Sequence, residues 1–235
     1  PRAAAQRRRN ANGGGAALGL DYDLLESVNL AVGYWATNPA DPSASNGLFN
    51  GNYAAGANLN IALLDERLNF ALAYLRAYQG AGSGYDLAGF AGTDAATDPF
   101  DDRANSANNY GLASSFQVFL KLAVGGYAGY TTATTIDDNA DADIFNWSAY
   151  ATYVDLLKEG STFIVSFGQP PTLVGSGGNA VADDPDTPYL LNVEYQYSFN
   201  DFIQLTPGGY ALFNPNGDSD NSTIYVGTLR TIFRF

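Results

Sequence analysis

Apolar and polar residues alternate along most of the chain. Near the start, Leu18, Leu20 and Tyr22 share one parity, and Gly19 and Asp21 take the other. Successive side chains of a β-strand point to opposite faces, so this pattern predicts strands with one apolar and one polar face. The alternation recurs in ten further segments, near residues 28–36, 53–61, 68–75, 109–118, 122–131, 143–154, 163–167, 189–198, 202–213 and 222–235. We therefore predict an all-β protein with eleven visible strands.

The connections between the predicted strands fall into a short and a long class. Short ones are expected near 25–27, 63–67, 119–121, 155–161 and 200–201, and long ones near 37–50, 78–108, 131–142, 168–188 and 214–221. The regular alternation of short and long connections is typical of an antiparallel up-and-down barrel in an outer membrane. In such a barrel, each tilted strand crosses the membrane with about 9–11 residues. The alternative is a large soluble all-β domain, but Greek-key connections show no such rhythm.

Charged residues inside the predicted strands favour the membrane interpretation. Asp21, Asp23, Glu194 and Arg230 all fall on the polar parity. Placing a basic side chain against lipid at the membrane midplane costs about 2–4 kcal/mol, whereas placing it in a water-filled interior costs little. Arg76 is the exception, and its place at a strand end lets the guanidinium reach the membrane interface. Aromatic residues near the strand ends fit an interfacial girdle.

The strand number predicts that the visible strands are part of a larger barrel. Eleven is odd, bacterial single-chain barrels use even numbers, and a strand edge left unpaired is not stable in lipid. We expect residues 14–235 to form the C-terminal part of a transmembrane barrel. Residues 1–13, which include four arginines, are expected to be a flexible basic segment.

The composition excludes several classes of protein. The chain has 11 Lys and Arg against 24 Asp and Glu, a net charge of −13, which argues against nucleic-acid binding. It has no Cys and no His, so it has no disulfide framework, no histidine-ligated zinc and no histidine-based catalytic triad. We expect no enzymatic activity, no cofactor and no metal site. Asp137, Asn139 and Asp141 have the spacing of a calcium loop, but the Gly and Glu that such a loop requires are missing.

Five segments carry a family resemblance: SNGLFNGNYAAGANLNIALLDERLNFALAY, DADIFNWSAYATYVDLLKEG, FIVSFGQPP, LTPGGYALFNPNGDSDN and the terminal TLRTIFRF. They resemble cyanobacterial outer-membrane porins of the carbohydrate-selective porin (OprB) family, some of which are called iron-uptake porins. The likeness covers roughly residues 14–235. It implies a multi-pass barrel of about sixteen strands in the outer membrane, the size at which the interior stays open. Family members usually also carry an N-terminal domain that binds the cell wall.

The resemblance also implies a function and partners. It implies passive diffusion of small hydrophilic solutes and ions, with carbohydrate or inorganic-ion (iron) uptake, and a homo-trimer surrounded by outer-membrane lipid. The terminal aromatics Phe233 and Phe235 match the signal read by the barrel-assembly machinery, although Arg230 stands where that signal has Gly. The alternative is a non-conducting structural or cell-wall-anchoring barrel, but the small residues on the polar parity argue against a plugged interior.

The polar parity supplies the candidate pore-lining residues. They are Asn58, Asn60, Asn69, Gln117, Asn192, Glu194, Gln196, Arg230 and Arg234. Opposed acidic and basic side chains in a pore can set a transverse field that filters solutes. The alternative for one such pair, Glu194 and Arg230, is a structural ion pair between nearby strands.

The long connections carry the candidate acidic mouth. Its residues are Asp98, Asp101, Asp102, Asp137, Asp138, Asp141, Asp183, Asp184 and Asp186. Such a ring concentrates cations and repels anions, most strongly at low salt. The alternatives are loop solubility and the binding of divalent ions that link neighbouring surface molecules. Either 78–108 or 168–188 could fold into the barrel and narrow it, and the sequence does not say which.

Overall fold

The computed structural model of the chain describes residues 15–43, 46–84, 86–200 and 202–234. Within these ranges it contains the eleven strands that the sequence predicts. They are β1 (Gly15–Leu25), β2 (Val28–Thr37), β3 (Tyr53–Leu63), β4 (Leu68–Gln79), β5 (Asn105–Phe119), β6 (Leu122–Thr135), β7 (Asp141–Val154), β8 (Thr162–Gly177), β9 (Tyr189–Ser198), β10 (Ile203–Phe213) and β11 (Ile224–Phe233). The predicted basic segment 1–13 and Phe235 lie outside the described residues.

Helical structure is confined to connections in the part of the chain that is described. A helix of one turn, α1 (Asp94–Thr97), lies between β4 and β5, after a 3₁₀ turn at Gly89–Ala91. A second 3₁₀ turn, Pro215–Gly217, lies between β10 and β11. None of the described helices has the length and apolar character needed to span a membrane.

All eleven strands form one antiparallel sheet in chain order, from β1 to β11. The predicted all-β, up-and-down architecture is thereby confirmed. Because neighbours are antiparallel, β1 and β11 run in the same direction. Among the described residues β1 pairs only with β2, and β11 only with β10. The direct pairing of β1 with β11 that would contradict a larger barrel is not found there.

The strand registers place alternate residues on two faces. One row of directly opposed residues crosses β1 to β6 through Leu20, Val32, Ala57, Tyr74, Tyr110 and Tyr130. The face that holds this row is called the apolar face, and the face that holds Asn29, Asn60 and Asn69 is called the polar face. The apolar face is open to its surroundings, since Leu18 is 75% and Leu20 69% exposed. Such exposure of large apolar side chains requires a lipid or protein environment.

Tyrosines line the apolar face near its long-loop end. The ring centroids of Tyr34 and Tyr53 lie 5.8 Å apart, those of Tyr53 and Tyr78 lie 6.1 Å apart, and those of Tyr74 and Tyr110 lie 5.4 Å apart. Amphipathic rings at this height are typical of an interfacial girdle.

The predicted short–long rhythm of the connections was wrong in one place. The connection between β6 and β7 is only 136–140, shorter than the turn 155–161 at the other end of the sheet. The reason is that pairing continues outward: Thr132 opposes Asp143, and Thr134 opposes Asp141. β8 likewise continues to Gly177, so the predicted loop 168–188 begins only at 178.

Candidate functional site

The polar face brings the predicted pore-lining residues together on one surface. Asn58, Asn60, Asn69 and Gln117 lie on β3, β4 and β5. Asn192, Glu194 and Gln196 lie on β9, Arg230 lies on β11, and Arg234 follows it. The registers carry the parity across the sheet: Asn60 opposes Asn29 on one side and Ala71 on the other, and Asn69 opposes Ser115.

A ladder of amides and carboxylates crosses β1, β2 and β3 on the polar face. Asn29 Nδ2 donates to Asp21 Oδ1 at 2.6 Å and to Asp23 Oδ1 at 3.0 Å. Asn60 Nδ2 donates to Asn29 Oδ1 at 3.4 Å, and Asn58 Nδ2 donates to Asn60 Oδ1 at 3.1 Å. The sequence interpretation had Asn58 and Asn60 as candidates but omitted Asn29, Asp21 and Asp23. Their polar parity, which the sequence already showed for Asp21 and Asp23, was the signal that could have found them.

A second polar cluster, with basic residues, lies on β9, β10 and β11. Arg230 Nη2 lies 3.9 Å from Glu194 Oε2, so the pair that the sequence suggested as a structural alternative is in contact. Arg234 Nη2 donates to Gln204 Oε1 at 3.1 Å, and Gln204 Nε2 donates to Gln196 Oε1 at 3.4 Å. The Arg230 side chain is 60% exposed, and exposed pairs of this kind contribute about 0–1 kcal/mol. The cluster therefore contributes little to the stability of the strand pairing. Its main effect is to place positive and negative charges close together on the polar face.

The β4–β5 loop, residues 80–104, folds over the polar face. Phe100 and Ala96 from this loop are buried in one apolar cluster. Its other buried members are Ala107, Ala133, Ala140, Ala142, Ile144 and Leu173. Ala107 opposes Ala133, which opposes Ala142, and this row has the parity of the polar face. Both loops that the sequence left open reach this cluster: the β4–β5 loop supplies the buried Phe100 and Ala96, and Ala180 and Val181 of the β8–β9 connection are partly buried against the same cluster. The strands supply alanines where the loops dock.

Arg103 fastens the end of this loop to the β6–β7 turn. Its Nη1 donates to Asp138 Oδ2 at 2.7 Å, its Nη2 to the Asn179 carbonyl oxygen at 2.6 Å, and its Nε to the Phe100 carbonyl oxygen at 2.8 Å. Asp138 also accepts hydrogen bonds from Thr135 Oγ1 and Asn179 Nδ2. The bond from Thr135 foremost, then those from Asn179 and the backbone and the charge of Arg103, hold the pKa of Asp138 far below its usual range.

Asp184 fastens the loop to β8. Its Oδ2 accepts a hydrogen bond from Thr93 Oγ1 at 2.6 Å and one from the Leu173 backbone N–H at 2.7 Å. Thr93 is also the N-cap of α1, since its Oγ1 accepts from the Ala96 N–H. Partial burial raises the pKa of the Asp184 carboxyl, against the opposing effect of these two bonds.

The β10–β11 loop closes this arrangement. Asn216 Oδ1 accepts from the Asp94 N–H at 2.6 Å, and Asn216 Nδ2 donates to Asp94 Oδ2 at 3.2 Å. Gly217 has a φ of +68°, and a Cβ there would lie 2.7 Å from the Asp184 carboxyl. Only glycine meets both conditions without strain. Three long connections therefore form one hydrogen-bonded unit above the polar face.

The sequence model of the carbohydrate-selective porin, OprB family, matches residues 9–235. The chain belongs to this family. The membership places the protein in the outer membrane and accounts for a sheet whose apolar face is exposed.

Two cyanobacterial relatives support the assignment. The porin-family chain is 32% identical over 241 residues to an uncharacterised protein of Synechocystis sp., a match that covers 94% of this chain and 43% of that protein. It is 33% identical over 236 residues to an uncharacterised protein of Nostoc sp., a match that covers 95% of this chain and 40% of that protein. The chain thus spans less than half the length of the curated relatives it matches.

Solved outer-membrane proteins share the fold. The outer-membrane protein OmpT of Vibrio cholerae superposes with a TM-score of 0.59 at 11% identity, covering 92% of this chain and 62% of OmpT. Its loop L8 deletion mutant superposes with a TM-score of 0.64 at 11% identity, covering 93% of this chain and 62% of that chain. The likeness shows that the sheet has the form of an outer-membrane barrel wall.

The residues of the predicted acidic mouth of this OprB-family chain differ in exposure, in hydrogen bonding and in the face on which they lie. Asp101, Asp137 and Asp183 are exposed loop residues, whereas Asp98, Asp138, Asp184 and Asp186 accept hydrogen bonds within the loops. Asp102 is half-buried beside Asp98, to which its N–H donates. Asp141 lies at the start of β7 opposite Thr134, and therefore on the apolar face. The described residues contain no group of three or more acids arranged to hold a metal ion.

The predicted assembly signal is described in part. Phe233 ends β11 on the apolar face, where it opposes Ile203 and is 59% exposed.

Proposed function

We infer that the chain forms most of the wall of an outer-membrane channel through which small hydrophilic solutes and ions diffuse passively. The observation that carries this inference is the back-to-back arrangement of the two faces: amides, small residues and charges on one, exposed leucines and tyrosines on the other. In a membrane the apolar face contacts lipid, so the polar face surrounds water. Small residues and uncharged polar side chains make up most of the polar face, and the chain contains no His or Cys, which supports a channel rather than an enzyme.

Strand direction determines whether an odd or an even number of further strands would complete the wall. Since β1 and β11 run in the same direction, antiparallel closure needs an odd number of additional strands. Five would give the even total of sixteen.

The β4–β5 loop is proposed to narrow the channel. Phe100 and Ala96 pack on the polar face, so the loop occupies space that would otherwise be open to solvent. Its attachment by Arg103 and Asp184 keeps this constriction in place.

Charge is proposed to favour cations. The chain has a net charge of −13, and exposed acids such as Asp101, Asp137 and Asp183 lie in the loops at one end of the sheet. At 0.01 M salt the Debye length is about 30 Å, so these charges act across a pore mouth; at 1 M it is about 3 Å, and they do not. Asp21 and Asp23 extend the negative potential along the polar face.

The full-length protein in a planar lipid bilayer tests these proposals. We expect discrete conductance steps whose size increases with salt concentration. In an asymmetric KCl gradient, the sign of the reversal potential should show that K⁺ permeates more readily than Cl⁻. A folded protein that inserts without conductance would favour the non-conducting structural barrel. Conductance with anion preference would retain the channel and defeat the charge proposal.

Trimer formation and recognition by the barrel-assembly machinery are proposed from family membership. Phe233 and Phe235 are the residues that would be recognised. A full-length variant with both replaced by Ala should accumulate unfolded in the periplasm, and cross-linking of the wild-type protein in membranes should yield a trimer. Unimpaired assembly of the variant would remove these residues from the signal.

A further inference from the structure

Arg76 is a basic side chain on the apolar face. It opposes Ala55 on β3 and Asn108 on β5, in the row that also contains Leu18 and Tyr34. The other basic residue within the described strands, Arg230, lies on the polar face. Arg76 therefore sits where lipid is expected, near the long-loop end of β4.

Uncharged groups hold the Arg76 guanidinium in position. Its Nη1 donates to Asn108 Oδ1 at 2.9 Å, and its Nη2 donates to Ser106 Oγ at 3.1 Å. Tyr74 Oη donates to the same Asn108 oxygen at 2.9 Å. In the described part of the chain no carboxylate lies within ion-pair distance of Arg76, despite the net charge of −13. The guanidinium is oriented but its charge is not neutralised by a described acid.

The acid of the same row is distant. The row runs from Arg76 through Asn108 and Thr132 to Asp143, three strands away. At about 4.8 Å per strand this separation is roughly 14 Å, beyond the reach of a direct pair. The surface around Arg76 thus has a local positive charge.

An apolar groove lies on the same face as Arg76, and the lining residue nearest to Arg76 along β4 is Tyr74, two positions away. It has a volume of about 450 Å³ and is lined chiefly by Leu30, Ala57, Leu59, Leu72, Leu112 and Ala128, with Tyr74, Tyr110, Tyr130 and Phe145 toward its upper end. The alanines at 57 and 128 make the depression between leucine and tyrosine side chains. Leu72 lies four residues from Arg76, or about 13 Å along the strand. This distance is close to one leaflet of a hydrocarbon core that is about 30 Å thick.

We propose that Arg76 and this groove bind one anionic diacyl membrane lipid, with the phosphate or sulfonate of its head group on the guanidinium and one acyl chain in the groove. Arginine recognises such oxyanions through parallel N–H donors, and the burial of hydrocarbon supplies the second part of the affinity. The site is independent of solute passage and needs only that the apolar face meets lipid. It gives a role to the one basic residue of the described strands that lies on the apolar face.

Native mass spectrometry of the full-length protein, loaded with phosphatidylglycerol or with phosphatidylcholine of the same acyl chains, tests the head-group contact. We expect preferential retention of phosphatidylglycerol. Arg76→Gln should reduce it roughly tenfold, the loss expected for a charged hydrogen bond. Arg230→Gln is the matched control, since it removes an arginine from the polar face and should leave retention unchanged. Equal retention of the two lipids, or retention of phosphatidylglycerol by Arg76→Gln equal to that of the wild type, would overturn the proposal.

A groove-filling variant tests the acyl-chain contact. Ala128→Phe keeps Arg76 and should lower phosphatidylglycerol retention, whereas Ala211→Phe, on the apolar face of β10, should not. Retention insensitive to Ala128→Phe, or selective retention of lipopolysaccharide instead, would overturn the assignment of a diacyl lipid. Heat-modifiable migration establishes that each variant is folded. Conductance of Arg76→Gln should be normal, so failure of the lipid site and failure of the channel are separate results.

Discussion

Arg103 Nη1 lies 2.7 Å from Asp138 Oδ2, and this ion pair joins the end of the β4–β5 loop to the β6–β7 turn. The same guanidinium also donates to backbone carbonyls of Phe100 and Asn179. One side chain therefore ties three connections together above the polar face.

Arg103→Gln should loosen the β4–β5 loop without unfolding the barrel. Gln cannot replace the three donations to Asp138, Phe100 and Asn179, so the loop should sample detached positions. We expect noisier single-channel currents and faster cleavage of the loop by added protease. Lys121→Gln is the control, because it removes an ion pair with Asp155 at the opposite end of the sheet. Equal effects of the two substitutions would contradict the assignment of Arg103 as the loop fastening.

Phe100→Ala should detach the loop from the polar face and raise single-channel conductance. Phe100 is 1% exposed, and truncation of a buried Phe costs about 3–5 kcal/mol. That cost falls on the loop, while the strand ladders remain intact. Phe49→Ala, at a position that is 74% exposed in the β2–β3 loop, should leave conductance unchanged. A conductance unaltered by Phe100→Ala would mean that the loop does not narrow the pore.

Asp184→Asn should strengthen loop attachment at neutral pH. Because the pKa of Asp184 is raised, the folded loop binds its proton more tightly than the unfolded chain does. Its contribution is therefore full below the ordinary carboxyl pKa of about 4 and is lost as pH rises through the raised value. Asn keeps an acceptor and no charge, so protease resistance of the loop should rise at pH 7 and vary less with pH. Weaker attachment in the Asn variant would show that the charged form is preferred.

Asp138→Asn should have the opposite effect and serves as the comparison. The pKa of Asp138 is lowered by its hydrogen bonds from Thr135 and Asn179, so its contribution is present above about pH 4 and is lost only on strong acidification. The Asn variant should thus show a more protease-sensitive loop at pH 7. Its sensitivity should match that of the wild type only in strong acid. Increased protection at pH 7 would contradict this direction.

Simultaneous replacement of Asp101, Asp137 and Asp183 by Asn should reduce cation preference. These acids are exposed, and their loss should shift the reversal potential toward zero in 0.01–0.1 M gradients but hardly at about 1 M salt, where the Debye length is about 3 Å. Asp65→Asn with Glu66→Gln, in the β3–β4 turn at the other end, is the matched control. If the control shifts the reversal potential as much as the triple variant, selectivity does not reside at the loop end.

The alternation of apolar and polar residues, as at Leu18–Asp21, was enough to predict the number of strands and which residues of each strand share a face. It was also enough to predict a membrane barrel. The reason is that side-chain direction in a strand depends only on parity. Glycine and alanine on the polar parity, with Asn58, Asn60 and Asn69 among them, likewise marked that face without knowledge of pairing. The Glu194–Arg230 pair was also within reach, since two opposite charges on the same face of nearby strands are natural partners.

Tertiary structure alone decided how the long connections are used. Nothing in the order of residues shows that Phe100 meets Ala133 and Ala142, or that Thr93 and Leu173 share the Asp184 carboxylate, because these contacts join segments far apart in the chain. Extension of β6 and β7 beyond the predicted ends has the same cause: each extra residue pair is stabilised by a neighbour whose position only the folded sheet defines. Parity is a local property of the backbone, whereas the docking of a loop depends on the shape that the assembled strands present to it.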